Sequence, residues 1–135
     1  MADNIKVLIV EDHDMARMGL SVILGNNDKI DISGMCSDGQ EGVDAALKLL
    51  PDVVIMDIGL PTIDGIEATR KIKEVNQDIK VLMYTSREGD DDIFDAFKAG
   101  ADGYITKGAT AEQTISAVLA VSEGEIGRAS CRERV

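Results

Sequence analysis

Val53-Val-Ile-Met-Asp57-Ile-Gly-Leu-Pro61 is a short apolar run that ends in a carboxylate and is then broken by Gly59 and Pro61. Four to eight apolar, partly β-branched residues bounded by breakers predict a buried strand. An aspartate at the carboxyl end of such a strand sits where open α/β sheets bind ligands. The same residue type also caps turns, so Asp57 acquires meaning only from what the other strands deliver beside it.

Working outward, Ile5–Val10 predicts a first strand that runs directly into Glu11-Asp12-His13-Asp14. Met15, Met18, Gly19, Val22 and Ile23 then recur at helical spacing, and Gly25-Asn-Asn27 ends that helix. Lys29–Cys36 carries a weaker strand. Asp38 and Glu41 have capping-box spacing ahead of a helix that turns Val43, Ala46, Leu47 and Leu50 to one side and stops at Pro51. Beyond the central strand, Asp64-Gly65 opens a helix with Ile66, Thr69, Ile72 and Val75 spaced three apart. Lys80–Tyr84 is the fourth strand and leads into Thr85-Ser86. An acidic loop from Glu88 to Asp92 precedes a helix through Ile93, Phe97 and Gly100. Asp102–Thr106 is the fifth strand and ends at Lys107. Thr110 and Gln113 form a capping box for a last helix whose inner face is Ala111, Ile115, Val118 and Leu119. Strands that alternate with helices imply a doubly wound α/β fold with a parallel sheet, because parallel strands need crossover connections.

A chain of 135 residues is one domain by length, and it buries enough surface to fold without disulfides or a structural metal. Aromatics make up only 3%, so the core is aliphatic and Met-rich. The net charge of −11 argues against this chain gripping a nucleic-acid backbone, which takes clustered Lys and Arg. Two isolated cysteines, Cys36 and Cys131, make neither a disulfide framework nor a zinc site. The N-terminus lacks a basic leader and no apolar run is long enough to span a membrane, so a cytoplasmic protein without membrane contact is expected.

Residues 125–135, Glu-Ile-Gly-Arg-Ala-Ser-Cys-Arg-Glu-Arg-Val, break the pattern: they have no apolar period and are basic. The tail matches an unbroken reading frame through a common sequencing adapter, followed by a stop codon. Residues 1–124 are therefore expected to be the native domain and 125–135 a non-native tail, with the natural chain continuing past Gly124. The tail holds three Arg and two Glu, which leaves 11 basic and 23 acidic residues in the body.

In a parallel α/β sheet the strand C-termini share one edge. Here that edge collects Glu11-Asp12, Asp57, Thr85-Ser86 and Lys107 from four strands. Each residue alone has a capping or solvated role; their convergence is harder to assign to capping. Two like charges about 4 Å apart repel by roughly 4 kcal/mol at an effective dielectric near 20. Raised pKa values or a bound cation must offset this. Hard carboxylate oxygens suit Mg²⁺, which keeps waters and is often completed by phosphate. With Lys107 opposite, the edge suits a phosphoryl group carried on Asp57 as an acyl phosphate.

These residues, in this order and spacing, resemble the receiver domain of two-component response regulators over residues 5 to about 124. The resemblance implies a flavodoxin-like (βα)5 fold with five strands in the order 2-1-3-4-5. It implies Asp57 as phosphoacceptor and Mg²⁺ held by Glu11, Asp12 and Asp57 with the Gly59 carbonyl. Thr85, Ser86 and Lys107 would bind the phosphoryl group, and Thr85 and Tyr104 would form the switch. Such a domain is a signalling module rather than an enzyme, catalysing only its own phosphotransfer and dephosphorylation. A sensor histidine kinase is the implied donor, and a homodimer on phosphorylation is a further partner the resemblance would allow. Gly108 stands where many receivers have proline, Gly59 where a larger residue is usual, and His13 is read as a surface residue beside the acidic pair. Arg17-Met-Gly-Leu20, Gly100-Ala-Asp-Gly-Tyr104 and Ala120–Glu125 further resemble the subfamily with a LuxR/NarL-type helix-turn-helix output domain. DNA contact is then expected only through a missing C-terminal domain. A single-domain receiver acting by protein–protein contact is the alternative. A haloacid-type phosphatase would place Asp-x-Asp after the first strand. A flavin carrier would not put two carboxylates in its phosphate loop. A phosphorylation-independent binding module leaves the matching residue set without a purpose.

Overall fold

The computed structural model describes residues 4–86, 90–124 and 127–128. The chain alternates β1 (Ile5–Val10), α1 (Asp14–Gly25), β2 (Ile30–Cys36), α2 (Gly39–Leu49), β3 (Val53–Asp57) and α3 (Gly65–Val75). It continues through β4 (Lys80–Thr85), α4 (Asp90–Lys98), β5 (Gly103–Thr106), α5 (Ala111–Ser122) and β6 (Gly127–Arg128). The sheet is parallel throughout, in the order β2-β1-β3-β4-β5-β6. The expected five-stranded order 2-1-3-4-5 is therefore present, and a two-residue strand from the tail extends it. That strand pairs Gly127 with Gly103 and Tyr104 with Arg128. Its backbone takes up groups that β5 would otherwise expose at an edge, and this needs no side-chain pattern. The rest of the tail, with Cys131, and the loop residues 87–89 lie outside the described residues.

Successive strand residues point to opposite faces, and each face meets its own helices. Leu8, Val10, Val54, Met56, Val81 and Met83 pack against Val43 and Ala46 of α2, Ala68 and Ile72 of α3, and Ala96 of α4. On the other side Val7, Ile9, Val53, Ile55 and Leu82 meet Leu20 and Leu24 of α1 and Val118 and Val121 of α5. All five residues of β3 are buried, as expected of a central strand covered on both faces. Each fully buried aliphatic side chain contributes about 1.5–3 kcal/mol.

The inward faces of the helices depart in part from the expected ones. Met15, Met18 and Val22 of α1 are exposed, while Leu20 and Leu24 pack inward. This helix carries apolar residues on several sides, so helical spacing alone does not select the stripe that meets the sheet. Leu50 is exposed because it leaves α2 in a left-handed conformation ahead of Pro51. Val75 is exposed at the last turn of α3, and Ala111 at the first turn of α5, whose inner face begins at Thr114.

Among the described residues, three helices start on side-chain caps. Asp38 accepts from the Glu41 N–H at 2.8 Å and Asp64 from the Glu67 N–H at 2.8 Å. At α2 the box is only half closed, since the Glu41 carboxylate accepts from Ser37 N–H at 2.9 Å rather than from the N-cap. At α5 it is complete: Gln113 N–H donates to Thr110 Oγ1 and Thr110 N–H to Gln113 Oε1.

Candidate functional site

β1, β3, β4 and β5 end level with one another, with Val10 beside Met56, Asp57 beside Tyr84 and Thr85 beside Thr106. Whatever follows each strand is therefore delivered to one rim. Glu11 leaves β1 fully buried, and Asp12 is half-buried next to it. Asp57 ends β3 at 5% exposure. Lys107 follows β5, held where its N–H donates to Thr85 O at 2.8 Å.

The loop after Asp57 is fixed from two sides. Gly65 N–H donates to Ile58 O at 2.7 Å, and a Cβ at Gly65 would stand 1.9 Å from Asp57 O. Only glycine lets α3 start that close to the backbone of the acidic residue. Pro61 O accepts from Gly39 N–H at 3.1 Å and Thr62 Oγ1 from Gln40 N–H at 3.1 Å, which ties the loop to the start of α2. Gly59 lies on this loop, exposed, and a Cβ there would meet nothing within 4 Å. A larger side chain would fit, so the backbone does not require glycine at this position.

Lys107 Nζ lies 2.8 Å from Glu11 Oε1 and 3.5 Å from Asp57 Oδ1, and 5.3 Å from the centre of the Tyr84 ring. Glu11 Oε2 accepts from the His13 N–H at 2.8 Å and lies 3.0 Å from His13 Nδ1. The Arg17 guanidinium donates to Glu11 O at 2.8 Å, which holds the loop backbone.

Electrostatics separates the two buried acids. Burial and the neighbouring Glu11 charge push Asp57 up from 3.8 to about 6, against the pull of Lys107. Glu11 is held below its ordinary value: burial works to raise it, but Lys107 and the His13 N–H together outweigh that. Lys107 in turn is raised, since contact with the two carboxylates outweighs its own desolvation. The rim is thus short of positive charge at Asp57.

Glu11, Asp12, His13 and Asp57 each offer a ligand atom within 4.8 Å of the others. Glu11 Oε1, despite the Lys107 charge beside it, and Asp12 Oδ1 are buried without a well-aligned hydrogen-bond donor. Buried carboxylate oxygens left in this state, beside an acid that is costly to ionise, fit a hard divalent cation.

Of the residues expected at the site, the fold brings Glu11, Asp57 and Lys107 into direct contact and sets Asp12 beside them. Thr85 is buried at the end of β4, and Ser86 follows it, exposed. Tyr104 lies further back on β5, buried, with its ring edge-on to Phe97 at 6.2 Å between centroids. Asp12 and Asp14 do not cap α1: the N-cap is His13, and it makes no side-chain cap bond. Sequence reasoning missed the Tyr84 ring under Lys107 and the Arg17 tie to the Glu11 backbone. The register signal was available for Tyr84, which precedes Thr85 on the strand next to Asp57.

Among the described residues no helix is long and apolar enough to cross a membrane. Residues 7–119 match the family model of the response regulator receiver domain. The chain is 41% identical over 121 residues to the transcriptional regulatory protein LiaR of Bacillus subtilis, covering 90% of this chain and 57% of that one. Response regulator protein VraR of Staphylococcus aureus is likewise 41% identical over 121 residues, covering 90% of this chain and 58% of the relative. The chain thus spans just over half the length of the curated relatives it matches. Among solved structures, a LuxR-family two-component response regulator from Aurantimonas superposes with a TM-score of 0.87 at 29% identity, covering 92% of this chain and 89% of the other. The response regulator domain of Thermotoga maritima CheB gives 0.83 at 30% identity, over 89% and 97%. A strand-end acid buried beside a second acid and a lysine, on a fold of this order, together with the match over residues 7–119, places the chain in the response regulator receiver domain family.

Proposed function

We propose that this chain accepts a phosphoryl group on Asp57 from the phosphohistidine of a sensor histidine kinase. The observation that carries the reading is the contact set of Asp57: Lys107 Nζ at 3.5 Å, with Glu11, Asp12 and Asp57 oxygens gathered at the same rim. Glu11, Asp12, Asp57 and the Gly59 carbonyl would hold Mg²⁺, which when bound neutralises charge on the transferring phosphoryl oxygens. The Asp57 carboxylate is the nucleophile. Its raised pKa keeps part of it protonated below neutrality, so a nearby positive charge is what makes it available. Lys107 supplies part of that charge and would contact the phosphoryl group with Thr85 and Ser86. Thr85 ends the strand that adjoins β5, where Tyr104 sits, so a shift of the hydroxyl toward Asp57 alters the packing under α4. A local charge event biasing a two-state element is the physical content of such a switch.

Residues 1–124 form the receiver unit in this reading, and 125–135 are non-native. The relative named as a transcriptional regulatory protein supports transcriptional control of the intact protein, through a DNA-binding domain separate from the receiver unit. Incubation with acetyl phosphate and Mg²⁺ should add one phosphoryl group by intact mass, and Asp57→Asn should add none. Equal phosphorylation of the Asp57→Asn protein would refute the assignment.

A further inference from the structure

His13 has no part in the roles assigned above, yet its contacts are specific. Its side chain is 70% exposed, but Nδ1 lies 3.0 Å from Glu11 Oε2 and 3.3 Å from Asp12 Oδ1. The backbone N–H of the same residue donates to Glu11 Oε2 at 2.8 Å. Glu11 is fully buried, and its other oxygen faces Lys107 at 2.8 Å. The buried carboxylate is therefore gripped from both sides, by an ammonium on Oε1 and by two N–H groups of one residue on Oε2. His13 occupies the N-cap position of α1 but does not cap it. Its donor is spent on the acidic pair.

Carboxylates at a metal site need outer partners that fix their orientation, and losing such a partner typically weakens metal binding 10- to 100-fold. We infer that His13 is a positioning residue for the divalent-cation site. Its Nδ1–H holds Glu11 in place, so that Asp12 and Asp57 present oxygens to the ion at a fixed spacing. The ring nitrogen that faces the site is occupied as a donor to Glu11, which sets this role apart from direct ligation. The inference rests on reading the rim as a divalent-cation site, and the test separates the two.

Mn²⁺ binding to the full chain is measured by titration calorimetry and pulsed electron paramagnetic resonance, with His13→Ala, His13→Asn and Asp12→Asn variants. His13→Ala should weaken Mn²⁺ about 10-fold, the lower end of that range, because the backbone N–H to Glu11 survives. His13→Asn, whose amide N–H stands near the place of Nδ1–H, should recover most of the loss. The wild-type spectrum should carry no imidazole-nitrogen coupling. Unchanged affinity in His13→Ala, or a failure of Asn to restore what Ala loses, would overturn the inference. So would a nitrogen coupling that disappears in His13→Ala, since it would make His13 a ligand. If Asp12→Asn also bound Mn²⁺ like the wild type, the cation-site reading would fall with it. Loss in Asp12→Asn alone would leave that reading standing and remove only His13.

Discussion

Helices α1 and α5 lie on the same face of the sheet but begin differently. α5 opens with Thr110 and Gln113 satisfying each other's backbone N–H groups, a closed capping box. α1 opens after three polar residues, Glu11 to His13, and its N-cap side chain makes no cap bond. The polar groups are not missing; they are turned the other way. Glu11 takes the His13 N–H and Lys107, His13 leans on Glu11 and Asp12, and Arg17 reaches back to Glu11 O. One helix end is built for stability, the other gives up local stability to hold charge at the rim. Violations of local rules concentrated at one edge of the sheet are the pattern expected of a functional site.

The contrast can be broken by substitution, and the largest effect falls where the site and the fold share backbone. Gly65→Ala puts a methyl 1.9 Å from Asp57 O and 2.9 Å from Ile58 Cα, atoms that cannot move without moving β3. A loss of about 3 kcal/mol in chemical denaturation is expected, the upper part of the usual overpacking range. A near-neutral result would mean that the approach of α3 to Asp57 is looser than described.

Next comes the stability withheld by the rim. Asp57 has its pKa raised from 3.8 to about 6, so the folded chain binds this proton more tightly than the unfolded one does. Its contribution is present below about pH 4 and is lost as pH rises through about 6. Asp57→Asn removes that loss. Without divalent cation at pH 7.5 the variant should be more stable by about 2 kcal/mol, and the gain should fade as pH falls toward 4. Glu11, held low, works in the opposite sense, so the comparison must be made between the two proteins at each pH. A variant less stable than the wild type at pH 7.5 would contradict the account of a charge-frustrated edge.

The smallest effects compare the two helix starts directly. Thr110→Ala should cost about 1 kcal/mol, the usual value of a lost cap. His13→Ala, without metal, should change stability by less than about 0.5 kcal/mol, as for an exposed side chain with no cap bond. Equal losses at the two positions would erase the distinction.

Much of this was legible in the residues alone. β1 and β3 begin and end where their apolar runs predict, because breakers and charges flank them. The rim residues were legible for the same reason, since parallel strands align their ends. The inward face of α1 was not: Met15, Met18 and Val22 have the right spacing but are exposed, and only packing onto the sheet selects Leu20 and Leu24. Nor was the grip on Glu11, because two of its partners lie within six residues in the chain while Lys107 arrives from β5. A two-residue strand such as β6 carries no periodicity at all.

The central claim is that the charge gathered at this edge serves Asp57. After phosphorylation with acetyl phosphate and Mg²⁺, proteolysis and mass spectrometry locate the added group. The account predicts a single acyl phosphate, labile to base and to hydroxylamine, on the peptide that carries Asp57, absent when Mg²⁺ is withheld. A phosphoryl group found on His13, on Asp12 or on any peptide without Asp57 would contradict it.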